Sequence, residues 1–202
     1  EMCIRDSYKA VCTHGWVVDG EGKAMHKSLG NSIAPEEIIS QYGADILRLW
    51  VASSDYHADI RLSNDILKQL SEAYRKIRNT ARYILGNLDG FNPDTDRVSP
   101  EELTELDKWA YEQLDALIDK VRAGYDALDY HVAFHAIHNF CVVEMSSFYL
   151  DIIKDRLYCE KRDDVLRRAA QTAMYDILSA LTRLAAPILV FTYEEIWQHL
   201  PG

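Results

Sequence analysis

Between residues 63 and 186 the apolar residues recur every three or four positions in four successive runs, a period that only helices satisfy. In the first run Ile66, Leu70, Ala73, Ile77, Ala81, Ile84 and Leu88 share one stripe, with Ser63 or Asn64 as the cap and Gly90 and Pro93 as the break. Ser99-Pro100-Glu101-Glu102 reads as a capping box with proline at the first helical position, opening a helix that carries Leu103, Leu106, Ala110, Leu114, Leu117 and Val121. The third run is Phe134, Ile137, Cys141, Met145, Phe148 and Ile152. The fourth starts at about Asp163, carries Leu166, Ala170, Ala173, Ile177, Leu181 and Leu184, and stops at Pro187. Thr192-x-x-Glu195 reads as the cap of a last helix. Long amphipathic helices on short connections predict a bundle.

The preceding stretch has a different character. Residues 8–19 read as a strand, with Ala10, Val11, Trp16, Val17 and Val18 apolar or β-prone and Gly15 interrupting. Asp19-Gly20-Glu21-Gly22 is a glycine-punctuated turn, and Lys23 to Asn31 has the composition of a mobile loop. Pro35 suits the first turn of a helix, with Glu36 and Glu37 near its positive end, and Gly43 ends it. Residues 44–54 predict a second, largely buried helical piece. The boundary falls near residue 62, giving segments 8–62 and 63–202. Residues 1–7 have no pattern linking them to the rest; they are read as foreign or truncated sequence and set apart from the fold.

A net charge of -10 at first sight opposes a nucleic-acid partner, but a phosphate backbone is bound by a local patch rather than by the total. Such a patch is present. Residues 64–88 hold Lys68, Arg75, Lys76, Arg78 and Arg82 against Asp65 and Glu72, with Lys68, Arg75, Arg78 and Arg82 close to one helical face. That face is either a phosphate contact or a solvated surface. No run approaches the roughly 18 apolar residues of a membrane span. Four scattered cysteines without a C-x-x-C pair fit a reducing cytosol, so the expected location is cytoplasmic.

The segment with chemistry in it is Gly22-Lys23-Ala24-Met25-His26-Lys27-Ser28-Leu29-Gly30-Asn31. A lysine on a glycine-flanked loop can swing onto a polyphosphate and offset charge that grows there, with Ser28, Asn31 and backbone N–H groups adding hydrogen bonds. On composition alone the same segment also reads as a solvated turn.

This segment resembles the KMSKS loop of class I aminoacyl-tRNA synthetases, which in that family closes over ATP. The five motif positions are Ala24-Met25-His26-Lys27-Ser28, followed by Leu29-Gly30-Asn31. The second motif lysine falls on Lys27, the methionine on Met25 and the last serine on Ser28. The first lysine is replaced by Ala24, with Lys23 one place earlier, and the middle serine by His26. Thr13-His14-Gly15, Tyr42 to Ser53, Asp55-Tyr56-x-x-Asp59-Ile60-Arg61, Tyr74 to Thr80 and Asp155-Arg156-Leu157-Tyr158 resemble the isoleucyl members.

The resemblance implies a mainly α chain, in which the C-terminal remnant of a Rossmann-like class I catalytic domain is followed by a helical anticodon-binding bundle. It implies an isoleucine–tRNA ligase whose substrates are isoleucine, ATP with Mg2+, and tRNA(Ile). Lys27 and Ser28 would be the catalytic pair, with Met25, Lys23 and Asn31 also at ATP, and Lys68, Arg75, Arg78 and Arg82 at tRNA. No H-x-G-H motif occurs in the chain, so by itself it is expected to be inactive. The alternatives are a valyl- or leucyl-type ligase and a free-standing helical tRNA-binding module.

Two other patterns point to packing. His131, His135, His138 and Cys141 align on one helix face, but successive ligands on a straight helix diverge along its axis and do not close a tetrahedral site. No metal site is expected. Trp16, Trp50, Trp109 and Trp197 lie on separate elements, which favours core or interface packing over base stacking.

Overall fold

In the computed structural model the described residues are 10–202. The segment set apart above and the first two residues of the expected strand lie outside them. Strand β1 is only Val17–Asp19, shorter than the sequence suggests, and it pairs in parallel with β2 (Ile60–Leu62) in the register Val17 to Ile60 and Asp19 to Leu62. A parallel pair needs a long crossover, and here it is the Lys23–Asn31 loop followed by α1 (Pro35–Tyr42) and α2 (Ala44–Ser53). Just before β1, Gly15 passes so close to residues 58 and 59 that a Cβ would lie 2.4 Å from the Ala58 carbonyl carbon.

The bundle follows: α3 (Asn64–Asn87), α4 (Glu105–Asp126), α5 (Tyr130–Asn139), a π-helical segment (Phe140–Tyr149), the short α6 (Leu150–Ile152) and α7 (Lys154–Cys159), then α8 (Val165–Ala185) and α9 (Val190–His199). Ser63 caps α3 by accepting from the Ile66 amide at 3.3 Å, and Asp164 caps α8 by accepting from Leu166 at 2.8 Å. No helix among the described residues is long and apolar enough to cross a membrane.

Four local readings change. The Ser99 box closes only a single 3-10 turn, Pro100–Glu102; Leu103 is extended, and a second box, Thr104 with Asp107, opens α4. Thr192 lies inside α9 rather than at its cap. Leu166, at the head of the fourth stripe, is exposed rather than in the core. The third stripe also drifts. Beyond Cys141 the buried positions are Met145, Tyr149, Ile153 and Leu157, with Leu150 beside them, while Phe148 and Ile152 are 44% and 49% exposed. A turn closed at i+5 takes up more residues than an α turn, so the inward face recurs at every fourth residue. Ser147 bonds the Val142 carbonyl five residues back at 2.8 Å, and Thr80 of α3 sets its hydroxyl 3.2 Å from the Cys141 carbonyl.

Two apolar clusters result. A small one joins Ile38, Ile46, Trp50, Leu62 and Leu67; the bundle core is the larger. Helix α2 serves both, with Ile46 and Trp50 facing the first and Leu49 and Ala52 the second.

Candidate active-site loop and basic groove

Asp19, at the end of β1, organises the loop. Its Oδ1 accepts from the amides of Glu21 (3.0 Å) and Lys23 (2.9 Å), and its Oδ2 accepts from Asn31 Nδ2 (2.9 Å). The Lys23 amide and the Asn31 side chain are the main reasons that the Asp19 carboxyl sits below its ordinary value. Asn31 also donates to the Ala24 carbonyl at 3.1 Å and accepts from the His26 amide at 2.9 Å. The loop is thus clipped shut at its base by Asp19 and Asn31, twelve positions apart. Sequence reasoning placed Asn31 at ATP and overlooked Asp19, whose signal was an aspartate opening a glycine turn.

The tip is the 3-10 turn Lys27–Leu29, closed by Gly30 at φ +68°, a conformation that favours glycine. The Leu29 and Gly30 amides bond back to His26 and Lys27, so the expected pool of free backbone donors is smaller than composition suggests. Lys27 and Ser28 are exposed at the tip, and Lys27 takes part in no ion pair among the described residues. Lys23 differs: its ammonium sits 2.7 Å from the Glu21 carboxylate, within the Asp19 turn. Met25 packs its side chain against the small cluster of Ile38, Ile46, Trp50, Leu62 and Leu67 and so seats the loop there. Trp50 in turn donates its indole N–H to the Arg61 carbonyl at 2.9 Å.

The basic residues of α3 line two grooves. Lys68, Arg75 and Arg78 border one of about 390 Å³ beside Tyr42 and Tyr74. Arg78 and Arg82 border another of about 460 Å³, whose other wall is Glu195, Ile196 and His199 of α9. Arg78 belongs to both. Lys68 and Arg75 are partly satisfied by Asp65 (3.8 Å) and Glu72 (3.1 Å), whereas Arg78 and Arg82 are in no ion pair among the described residues. The α9 wall was not legible in the sequence, because it comes from a helix more than 100 residues downstream.

The histidines do not gather into a metal site: among the described residues no three metal-ligating side chains cluster. Cys141 is buried, and burial pushes its thiol up to about 12. Burial first, then the charges of His131 on His135 and of Lys76 on His138, hold both imidazoles below their ordinary value. The unfolded chain therefore takes up these protons first, so stability should fall as pH drops below about 6.5. Urea midpoints from pH 7.5 to 5 should decline less in a His135→Gln, His138→Gln variant, and parallel curves would refute the assignment. Of the tryptophans, Trp50 is buried and Trp109 packs edge-on to Phe148. Trp16 is 80% exposed and Trp197 lies on the surface under Arg183, so neither is a core residue.

Comparison with known proteins bears on both features. The family described as tRNA synthetases class I (I, L, M and V) matches residues 1–63, and the anticodon-binding domain of tRNA ligase matches residues 107–202. The isoleucine–tRNA ligase of Syntrophotalea carbinolica is 61% identical over 195 residues, 96% of this chain and 21% of its own length. That of Brevibacillus brevis is 57% identical over the same shares. Among solved structures, Mycobacterium tuberculosis methionyl-tRNA synthetase in complex with methionyl-adenylate superposes with a TM-score of 0.75 at 21% identity, over 91% of this chain and 36% of that one. The Agrobacterium radiobacter K84 LeuRS, in a ternary complex with tRNA, gives 0.70 at 21%, over 94% and 22%. These two establish the fold alone; with the family match over residues 1–63, that fold is the end of a class I catalytic domain running into a helical bundle. With identity near 60% sustained from the Lys27 loop to the last helix, the chain belongs to the isoleucine–tRNA ligase family and spans about one fifth of the length of the relatives it matches.

Proposed function

We propose that the chain is the loop-and-bundle part of an isoleucine–tRNA ligase, a cytoplasmic enzyme. The isoleucine carboxylate attacks the α-phosphorus of ATP, pyrophosphate leaves, and the acyl group then passes from the adenylate to tRNA(Ile) with release of AMP. Mg2+ enters with the ATP phosphates as part of the substrate. The loop fits that role, offering a cation and hydroxyl to phosphate oxygens. The observation that carries the reading is Lys27, exposed and unpaired among the described residues at the tip of a loop fixed at its base by Asp19 and Asn31. A fixed base with a free cationic tip suits a group that meets the leaving pyrophosphate. Ser28 supplies a hydroxyl beside it, and Met25 holds the register.

The bundle grips tRNA through the groove along α3, where Arg78 and Arg82 contribute most because neither is in an ion pair among the described residues. The full-length enzyme that carries this chain should catalyse isoleucine-dependent exchange of pyrophosphate into ATP. Failure to do so, or equal exchange with leucine or methionine, overturns the reading. Chain 1–202 should bind tRNA(Ile) weakly and less tightly as salt rises, and Arg78→Ala should lower the slope of log K against log salt by about one unit. A slope unchanged in that variant would remove Arg78 from the interface.

A further inference from the structure

The first turn of α9 is capped from another part of the chain. Asp45, a buried residue at the start of α2, accepts from the Thr192 amide at 2.8 Å, from the Thr192 hydroxyl at 2.6 Å and from the Phe191 amide at 3.3 Å. Tyr74 of α3 places its hydroxyl 2.9 Å from the same Thr192 oxygen. One turn along α2, Arg48 donates to the carbonyls of Ile188 (2.9 Å) and Pro187 (2.7 Å) in the α8–α9 turn. So α9, one wall of the groove that holds Arg78 and Arg82, is pinned at its origin to α2. The same helix contributes Ile46 and Trp50 to the small apolar cluster against which Met25 of the Lys27 loop packs. A single rigid helix of ten residues therefore touches both the groove wall and the loop seat.

We propose that Asp45 is a positioning residue that couples nucleic acid held in the α3–α9 groove to the placement of the Lys27 loop. It touches neither substrate; it acts by fixing the start of α9 against α2. The inference rests on the tRNA ligase reading above. Coupling between distant sites needs such a physically continuous element, and it is demonstrated only by measuring both ends.

The test uses the full-length enzyme that carries this chain, with Asp45→Ala, Asp45→Asn, Thr192→Val and the Asp45→Ala, Thr192→Val double variant, each checked for folding by its thermal melt. Isoleucine-dependent exchange without tRNA should stay within about twofold of wild type, while kcat/KM for tRNA aminoacylation falls roughly 5- to 150-fold. Asp45→Asn, which keeps an acceptor oxygen, should fall less. The double variant should lose no more than Asp45→Ala alone, because the two side chains form one contact. A merely structural role would lower both reactions together, and that result overturns the proposal. So does an undiminished aminoacylation rate, or losses that multiply in the double variant. If the wild-type enzyme shows no isoleucine-dependent exchange, the ligase reading itself falls and this inference with it.

Discussion

Replacing Arg156 with alanine is expected to remove about 3–5 kcal/mol of stability, the range found when one partner of a buried ion pair is lost. Asp107 is fully buried in α4. Its Oδ2 accepts from Arg156 Nη1 at 3.0 Å, from the Thr104 amide at 3.0 Å and from the Thr104 hydroxyl at 2.7 Å. Its Oδ1 accepts from Tyr149 Oη at 2.8 Å. Burial and the Asp107 charge hold the Tyr149 phenol well above its ordinary value, so it remains a donor. Removing Arg156 leaves the carboxylate in the bundle core without the one cation that pairs with it among the described residues. In urea the midpoint should fall with little change in m, and in a melt the loss corresponds to roughly 6–20 °C for a chain of this size. Adding Asp107→Asn should restore part of it, since an amide needs no cation and its oxygen still accepts from Thr104. A loss below about 1 kcal/mol would place the pair with weak, solvated surface bridges and refute the argument.

Lys27→Ala should lower the exchange rate of the full-length enzyme by about 100- to 1000-fold, as loss of a preorganised oxyanion donor does elsewhere, with a small change in KM for isoleucine. Lys27 meets charge that develops on phosphate, not the amino-acid side chain. Lys23→Ala should cost far less. Its ammonium lies against Glu21 and at the base of the loop, on the Asp19 turn rather than at the tip. With Ala24 at the first motif position, the loop has a single cation at its apex. Equal losses from the two substitutions would show that Lys23 reaches the phosphates as well. A Lys27→Ala enzyme with near wild-type exchange would displace the chemistry from this loop altogether.

The long helices were legible because their stripes are local: α3 and α8 begin and end within a few residues of where period and punctuation put them, while α4 follows its stripe but starts at Glu105 rather than at Pro100. What escaped depends on partners far along the chain. Nothing near Cys141 announces a π segment; its carbonyl lies within reach of Thr80, 61 residues upstream. Thr192-x-x-Glu195 has the composition of a cap, yet the acceptor is Asp45, 147 residues away. Arg156 stood out only through family resemblance, and its work is to neutralise Asp107. In the candidate site the motif positions were readable, while the Asp19–Asn31 clip and the α9 wall required coordinates.

Helix α2 lends Leu49 and Ala52 to the bundle core and Asp45 to the cap of α9, although it precedes the break in sequence character near residue 62. Anyone excising the bundle at that break would therefore strip it of a facing helix. Two apolar side chains' worth of core would open to water, and a helix origin would be left bare. A piece meant for expression should start upstream of Pro35, so that α1 and α2 travel with the bundle as a lid already fitted to it.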